Sequence, residues 1–184
     1  MSSPSPALSV IQRAVLRRIP LLRLPAGARV LDAPCGEGAL AQALAAAGFD
    51  VCAADVDPAA EALVEARFRA ADLNRPLPWP DASFDAFFST EGIEHLENRF
   101  LFLREARRVV APGGTLVVVD YLKHASELMR ERFGDRWLGF DPEELSGWLT
   151  QAGFTVHTID TKPVKLGLAL GLYVARRPNP EETA

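Results

Sequence analysis

Apolar residues change their spacing several times along the chain, and each change marks an element. From Leu8 to Leu24 they recur at helical intervals (Val10, Ile11, Val15, Leu16, Ile19), with Arg13, Arg17 and Arg18 between them. This predicts an accessory helix lying over the domain. ARVLDA then reads as a buried strand and GALAQALAAAG as an Ala-rich helix ended by Gly48. FDVCAADV predicts a second strand, PAAEALVEA a short helix opened by Pro58, and Arg67 to Ala70 a brief third strand. Three prolines keep NRPLPWPDA out of regular structure. SFDAFFST is the next strand, Asn98 to Val110 a helix, and Pro112-Gly113-Gly114 a turn into TLVVVDYL, the most evenly apolar run in the chain.

Lys123 to Leu138 reads as helical or irregular. In DPEELSGWLTQAG, Asp141 is placed as N-cap, Pro142 at the first helical position and Glu144 three after the cap. FTVHTIDT and LGLALGLYVARR complete the series as strands, too close together for a helical crossover, so an antiparallel last strand is expected. The alternation predicts an α/β fold: a doubly wound, mostly parallel Rossmann-like sheet with helices on both faces. A single domain is expected over 8–177, with a disordered Ser/Pro-rich start over 1–7 and a loose tail over 178–184.

At 184 residues the chain suits one domain with a substantial core. The net charge of -4, from 20 basic and 24 acidic residues mixed along the chain, leaves no basic stripe, so no nucleic-acid partner is expected. LGLALGLYVA is apolar but far shorter than the ~20 residues of a membrane helix, so no span is expected. The two cysteines form neither a disulfide framework nor a metal-ligand cluster, and with no secretory signal the expected compartment is the cytoplasm.

The chemistry concentrates at LDAPCGEGALA. The first strand ends at Asp32, and at such strand ends a doubly wound sheet binds its ligands. Gly36 and Gly38 permit positive φ and close backbone approach, while the amides opening the next helix can donate to a polar ligand. Gly36-x-Gly38-x-x-Ala41 matches the spacing of a dinucleotide fingerprint, and Asp55, 17 residues after Gly38, ends the second strand where a carboxylate can accept from two ribose hydroxyls. Asp32 narrows the ligand. A fixed negative charge beside the turn repels a pyrophosphate and suits a cation, as in S-adenosylmethionine with its sulfonium and ammonium groups.

From about Arg29 to Arg177 the sequence resembles the class I S-adenosylmethionine-dependent methyltransferases. VLDAPCGEGALA resembles their first motif and DVCAADVDP the acidic end of their second strand. ADLNRPLPWPDASFDAFFSTEGIEHLEN is similar to the segment through the fourth strand and its loop, and LREARRVVAPGGTLVVVD to the helix, turn and fifth strand. The resemblance implies that Asp32 and the turn Ala33, Pro34, Cys35, Gly36 and Gly38 hold the methionine part. It implies that Asp55 binds the ribose, Val56 packs on the adenine, and Asp72 with the Leu73 amide meets the adenine edge. Ser89, Thr90 and Glu91 are then placed beside the methyl group. Two departures stand out: Pro34 in the first motif, and a short stretch between Asp55 and Asp72 that implies an abbreviated third strand and flanking helix.

The acceptor is expected to be a small or medium-sized molecule methylated on oxygen or nitrogen. GIEHLEN with DLNRPLPWPD resembles bacterial enzymes acting on glycans or other small metabolites, whereas DRWLGFDPEELSGWL resembles methyltransferase domains joined to winged-helix regulators. Acceptor contacts are expected from the N-terminal helix, the 91–97 loop and a lid over Lys123 to Phe140 carrying His124, Arg130, Arg132, Arg136 and Trp137. Such a pocket stays partly open or is closed by a second subunit in a homodimer. His95, in the loop facing the methyl group, is the candidate general base, because imidazole exchanges protons near neutral pH, although capping or loop support fits its position too. Glu91, Glu94 and Tyr121 are further candidates. Cys35 has no base beside it in sequence, and Arg104 to Arg108 read as a solvated helix face. Two other readings share the fold: a nicotinamide-dependent oxidoreductase, against which Asp32 and the Pro-Gly-Gly turn speak, and a non-catalytic domain that binds the cofactor or a partner.

Overall fold

The structure is a computed structural model that describes residues 7–64 and 66–182. Among the described residues five α-helices and seven strands follow in order. They are α1 (Val10–Leu22), β1 (Arg29–Asp32), α2 (Ala39–Ala46), β2 (Asp50–Asp55), β3 (Arg67–Ala70), β4 (Phe84–Thr90), α3 (Arg99–Val109), β5 (Val110–Tyr121), α4 (Glu127–Phe133), α5 (Pro142–Gln151), β6 (Thr155–Pro163) and β7 (Ala169–Arg176). One sheet takes all seven strands in the order β3-β2-β1-β4-β5-β7-β6. β1 to β5 pair in parallel, and β7 runs antiparallel to both β5 and β6. The doubly wound fold with its antiparallel last strand is therefore as the sequence pattern predicts.

Alternation along the central strands feeds two apolar layers. Val30, Val51, Phe88 and Val117 pack with Ile11 and Val15 of α1 and Leu40 and Leu44 of α2. Leu31, Phe87 and Val118 pack on the other face with Leu103 of α3 and Leu145 and Leu149 of α5. Strand order reverses between β1 and β4, so the carboxyl ends of these two strands open the crevice where ligands bind in such sheets.

Several elements depart from their predicted form. The helix expected over 58–66 is a 3-10 turn, Pro58–Ala62, capped by the Asp57 carboxylate on the Ala59 amide at 2.9 Å. Only residues 63–66 separate that turn from β3, so the stretch between Asp55 and Asp72 is abbreviated as inferred. β5 begins at Val110 and passes through Pro112-Gly113-Gly114, with a register irregularity opposite Phe84 and Ala86. Asp141 is the N-cap of α5 by position, but its side chain makes no cap bond there; it accepts from Lys123 Nζ at 2.8 Å instead. A complete capping box occurs on α1, between Ser9 and Gln12. Arg107 and Arg108 are not part of a solvated face: Arg107 Nε donates to the Gly153 carbonyl, and the Arg108 guanidinium joins Glu105, Asp81 and the carbonyls of Leu77 and Trp79. Pro180–Glu182 form a 3-10 turn within the stretch expected to be loose. Apart from Ala7, the disordered start expected over 1–7 lies outside the described residues.

Candidate functional site

The turn after β1 is tied into the sheet from both sides. Ala33 N donates to the Phe88 carbonyl at 3.0 Å and Cys35 N to the Ala54 carbonyl at 2.8 Å, so the backbone bridges β4 and β2. Gly36 and Gly38 both take positive φ, +51° and +78°. At Gly38 a side chain is excluded twice over, since a Cβ would lie 2.7 Å from Val64 Cγ2. Gly36 N donates to Asp55 Oδ2 at 2.9 Å, and Asp57 N to Asp55 Oδ1 at 3.1 Å. Asp55 thus fixes the turn through one lone pair on each oxygen and keeps others for a ligand.

Asp32 stands behind this turn, fully buried, and neither carboxylate oxygen has a hydrogen-bond partner. Burial pushes its carboxyl up to about 8; the nearby Ala41 amide, outside hydrogen-bond geometry, pulls it partly back, and the charge of Asp55 adds to the rise. An unsatisfied buried carboxyl is costly for a folded chain and calls for a partner supplied from outside it. Cys35 is a poor nucleophile, since burial pushes its thiol up to about 12.

A cavity of about 620 Å³ opens from Asp32 across the strand ends. Of the residues singled out from sequence, Asp32, Pro34, Cys35, Gly36, Asp55, Val56, Asp72, Leu73, Thr90, Glu91 and His95 line it. Ala33, Gly38 and Ser89 do not; they lie beneath the wall, and the buried Ser89 hydroxyl has no partner. Val56 is 68% exposed, a bare apolar surface beside Asp55. Asp72 Oδ1 accepts from Asn74 N at 2.8 Å, and its Oδ2 lies 3.3 Å from Arg75 Nε. Among the described residues no lysine or arginine lines the cavity, whereas Asp32, Glu37, Asp55, Asp72 and Glu91 do. The wall is therefore acidic.

The loop after β4 forms the opposite wall. Glu91 N donates to the Val119 carbonyl at 2.8 Å, and Glu91 takes φ +51°, which turns the chain sharply out of the strand. Its carboxyl is raised by burial and by the charge of Asp120, and Tyr121 Oη lies 3.4 Å from its Oε1. Ile93–His95 form a 3-10 turn whose first two amides donate to Asp120 Oδ2, at 3.1 and 3.3 Å. Burial and the adjoining Asp120 hold Glu94 well above the usual carboxylate range. Gly92 leans on Pro34 so closely that a Cβ would lie 2.6 Å from Pro34 Cδ. The two loops that face each other across the cavity thus touch at its floor.

The segment 123–140 holds a different place from the one expected. None of its residues lines the cavity, so His124, Arg130, Arg132, Arg136 and Trp137 do not form its roof. It packs behind the 91–97 loop instead. Trp137 Nε1 donates to the Leu96 carbonyl at 2.9 Å, the amides of Arg136 and Trp137 reach the Glu94 carbonyl at 2.9 and 3.0 Å, and Arg136 pairs with Glu97 at 2.8 Å. Arg99 closes this buttress, its guanidinium stacked between Trp137 and Trp148.

Ser9 and Gln12, from the N-terminal helix, and Leu96, from the 91–97 loop, also line the cavity, so two of the three segments expected to meet an acceptor reach it; Glu37 and Asn74 line it too and were not singled out from sequence. Ser9-x-x-Gln12 before an apolar run was a readable capping box, but nothing in it says that the helix start faces a ligand. Asn74 Oδ1 accepts from Glu97 N at 2.7 Å and from Asn98 N at 3.3 Å, linking the loop after β3 to the loop after β4. No three His, Cys, Asp or Glu side chains converge as a metal site among the described residues, and no helix there is long and apolar enough to cross a membrane.

Comparison with known proteins agrees with this geometry. Residues 31–118 match the family described as methyltransferase domain. The chain is 39% identical over 114 residues to 27-O-demethylrifamycin SV methyltransferase of Amycolatopsis mediterranei, covering 55% of this chain and 42% of that one. It is 34% identical over 122 residues to demethylmenaquinone methyltransferase of Tropheryma whipplei, covering 62% and 51%. The chain spans about half the length of the curated relatives it matches. Its fold superposes with a TM-score of 0.79 on a methyltransferase solved in complex with the Trm112 activator of Haloferax volcanii, at 19% identity over 92% of this chain and 91% of that one. With the glycine turn, the paired strand-end carboxylates and the strand order all in place, the chain is similar to a methyltransferase domain over residues 31–118 and has the fold of that solved methyltransferase.

Proposed function

We propose that the chain binds S-adenosylmethionine and moves its methyl group to an oxygen or nitrogen of a small or medium-sized acceptor. The observation that carries this reading is Asp32: a fully buried carboxyl with two unpartnered oxygens, in the wall of an acidic cavity. Such a group fits a ligand that brings positive charge and donors with it. When bound, the cofactor supplies a methyl group already activated by a sulfonium.

The residues present fit that ligand. Asp32 and the turn Ala33 to Gly38 would hold the methionine end, and a cation there favours the ionised form of Asp32. Asp55 has lone pairs to spare for two ribose hydroxyls, each charge-assisted bond contributing about 1.5–3 kcal/mol. Val56 and Leu73 offer apolar surface to the adenine, and Asp72, besides its contacts with the Asn74 amide and Arg75, keeps lone pairs to accept at the adenine edge. Thr90 and Glu91 close the end nearest the acceptor. Holding two reactants in line supplies most of the acceleration in such a transfer, up to about 7–11 kcal/mol. His95, in the cavity wall, would take a proton from the acceptor, a smaller contribution. An acidic wall repels anionic acceptors, so an alcohol, phenol or amine fits better than a phosphate or carboxylate.

Calorimetric titration with S-adenosylmethionine, S-adenosylhomocysteine and NADH, in the parent and in Asp55→Ala, tests the reading. Micromolar binding of both adenosyl ligands, weakened about 100-fold or more in the variant, supports it. Binding of NADH alone overturns it. Adenosyl binding without methyl transfer to any of a set of phenols, alcohols and amines would favour a cofactor-binding domain without turnover.

A further inference from the structure

His95 sits between two buried carboxyl groups from different parts of the chain. Asp135, in the loop after α4, is 3% exposed, and its Oδ1 lies 4.0 Å from His95 Nδ1. Its second oxygen is buried and meets no donor. On the other side of the ring, Glu94 Oε1 lies 3.9 Å from Nε2. The two carboxyls are not equivalent. Glu94 lies against Asp120, and burial with that neighbour holds it well above the usual carboxylate range. Asp135 is also raised by burial, but the charges of His95, His124 and Arg130 pull it back toward ionisation. Glu91 is the remaining acid that senses His95.

The chain spends structure on this placement. Gly134, at φ +76°, ends α4 with its amide on the Arg130 carbonyl at 3.1 Å. Arg130 Nη1 in turn donates to the Arg136 carbonyl at 3.0 Å, closing a loop around Asp135. The Arg136 and Trp137 amides then tie the same loop to Glu94, next to His95. A buried carboxyl so held, with one oxygen unpaired and an imidazole beside it, fits a partner for that ring better than it fits core packing.

We propose that Asp135 is the positioning residue of His95, accepting the Nδ1 proton so that Nε2 is left as the proton acceptor in methyl transfer. The inference rests on the reading of His95 as the base of the proposed reaction. The contact closes by a shift of about 1 Å, as catalytic hydrogen bonds often do on going from the free to the occupied site. The proton leaves the acceptor's O–H or N–H for Nε2, the imidazolium is balanced by Asp135, and the 43% exposed side chain returns the proton to water. The segment 123–140 thereby acquires a role without roofing the cavity.

Nitrogen-15 spectra of histidine-labelled protein test the pairing with no ligand present, the three histidines being His95, His124 and His157. With the ring neutral, His95 is expected as the Nδ1–H tautomer in the parent and in Glu94→Gln, and as a mixture in Asp135→Asn. A parent ring protonated on Nε2, or a tautomer unchanged in Asp135→Asn, overturns the proposal. For turnover, a soluble 1,4-hydroquinone serves as probe acceptor. Asp135→Asn and His95→Gln should each lower kcat by about 100-fold with KM little changed, and the double variant should be no worse than His95→Gln. An Asp135→Asn effect confined to KM or melting temperature would make the residue merely structural and overturn it. An unchanged kcat in His95→Gln would instead remove the base from the proposed reaction, while the spectra still decide whether the two side chains pair.

Discussion

Replacing Asp32 with Asn isolates the most perturbed carboxyl in the site. In the folded protein without ligand this group is raised from 3.8 to about 8. The folded state therefore keeps a proton that the unfolded chain gives up near pH 4, and stability falls as pH rises through the interval between the two values. At about 1.36 kcal/mol per unit, the loss between pH 5 and pH 8 is about 3–4 kcal/mol. Asn cannot ionise and lacks this slope. Its own buried amide remains unpaired, so the informative quantity is the change with pH and not the offset at any one pH. For a chain of this length about 2–4 °C accompanies each kcal/mol, so the melting temperature of the variant relative to the parent should rise by roughly 6–16 °C from pH 5 to pH 8. Scanning calorimetry at pH 5, 6.5 and 8 and constant ionic strength measures it. Glu94, Asp120 and Asp135 are raised in both proteins and cancel in the comparison. Added S-adenosylmethionine should stabilise the parent and not the variant. A difference that stays flat with pH would refute the reasoning, because Asp32 would then carry no proton in the folded state.

Three further substitutions probe the frame of the site. Gly92→Ala should lower stability by about 1–3 kcal/mol in chemical denaturation and weaken S-adenosylmethionine binding, because its Cβ meets Pro34 Cδ at 2.6 Å and pushes the facing loops apart. Arg108→Met removes the hub between Glu105, Asp81 and two carbonyls, at an expected cost of about 2–3 kcal/mol at pH 7. Arg108 also holds Glu105 below the usual carboxylate range, so part of that cost is present above the range and fades as pH falls through the lowered value, which urea melts at pH 7 and pH 3 should show. Trp137→Phe keeps an aromatic face for Arg99 but loses the bond to the Leu96 carbonyl, so amide exchange over 92–97 should quicken by about five- to tenfold while global stability changes by ~1 kcal/mol.

The half of the site on the first two strands was legible because local rules govern it. Glycines where φ turns positive, an acid at each strand end and apolar runs of strand length leave few alternatives for Asp32, Gly36, Gly38 and Asp55. The other wall depends on pairings across the chain. Asp120 bonds back to amides 26 and 27 residues earlier, and Trp137 reaches Leu96 across 41 residues, distances over which periodicity carries no information. The arginines of 123–140 suggested a lid in contact with the acceptor because charge says what a side chain can bind and not where the segment packs. Arg108 reads as solvated for a similar reason: its Asp81 partner lies in a proline-rich loop that no local pattern folds against α3. Asp135 was invisible in sequence, since one acid among several becomes singular only when its surroundings are dry.

The strand order also sets a timetable. All the strands that carry the glycine turn and the acids exist once residue 121 has been made, yet β5 then has only β4 beside it. Its other edge is filled by β7, which comes after α4, α5 and β6 in the chain. Until Ala169–Arg176 arrives, a strand containing Leu116-Val117-Val118-Val119 presents unpaired amides and carbonyls along that side. β7 is therefore a keystone, and any truncation or stalled synthesis that omits it leaves a nearly complete binding fold with a sticky interior edge, prone to pair with another chain before it can bind a ligand.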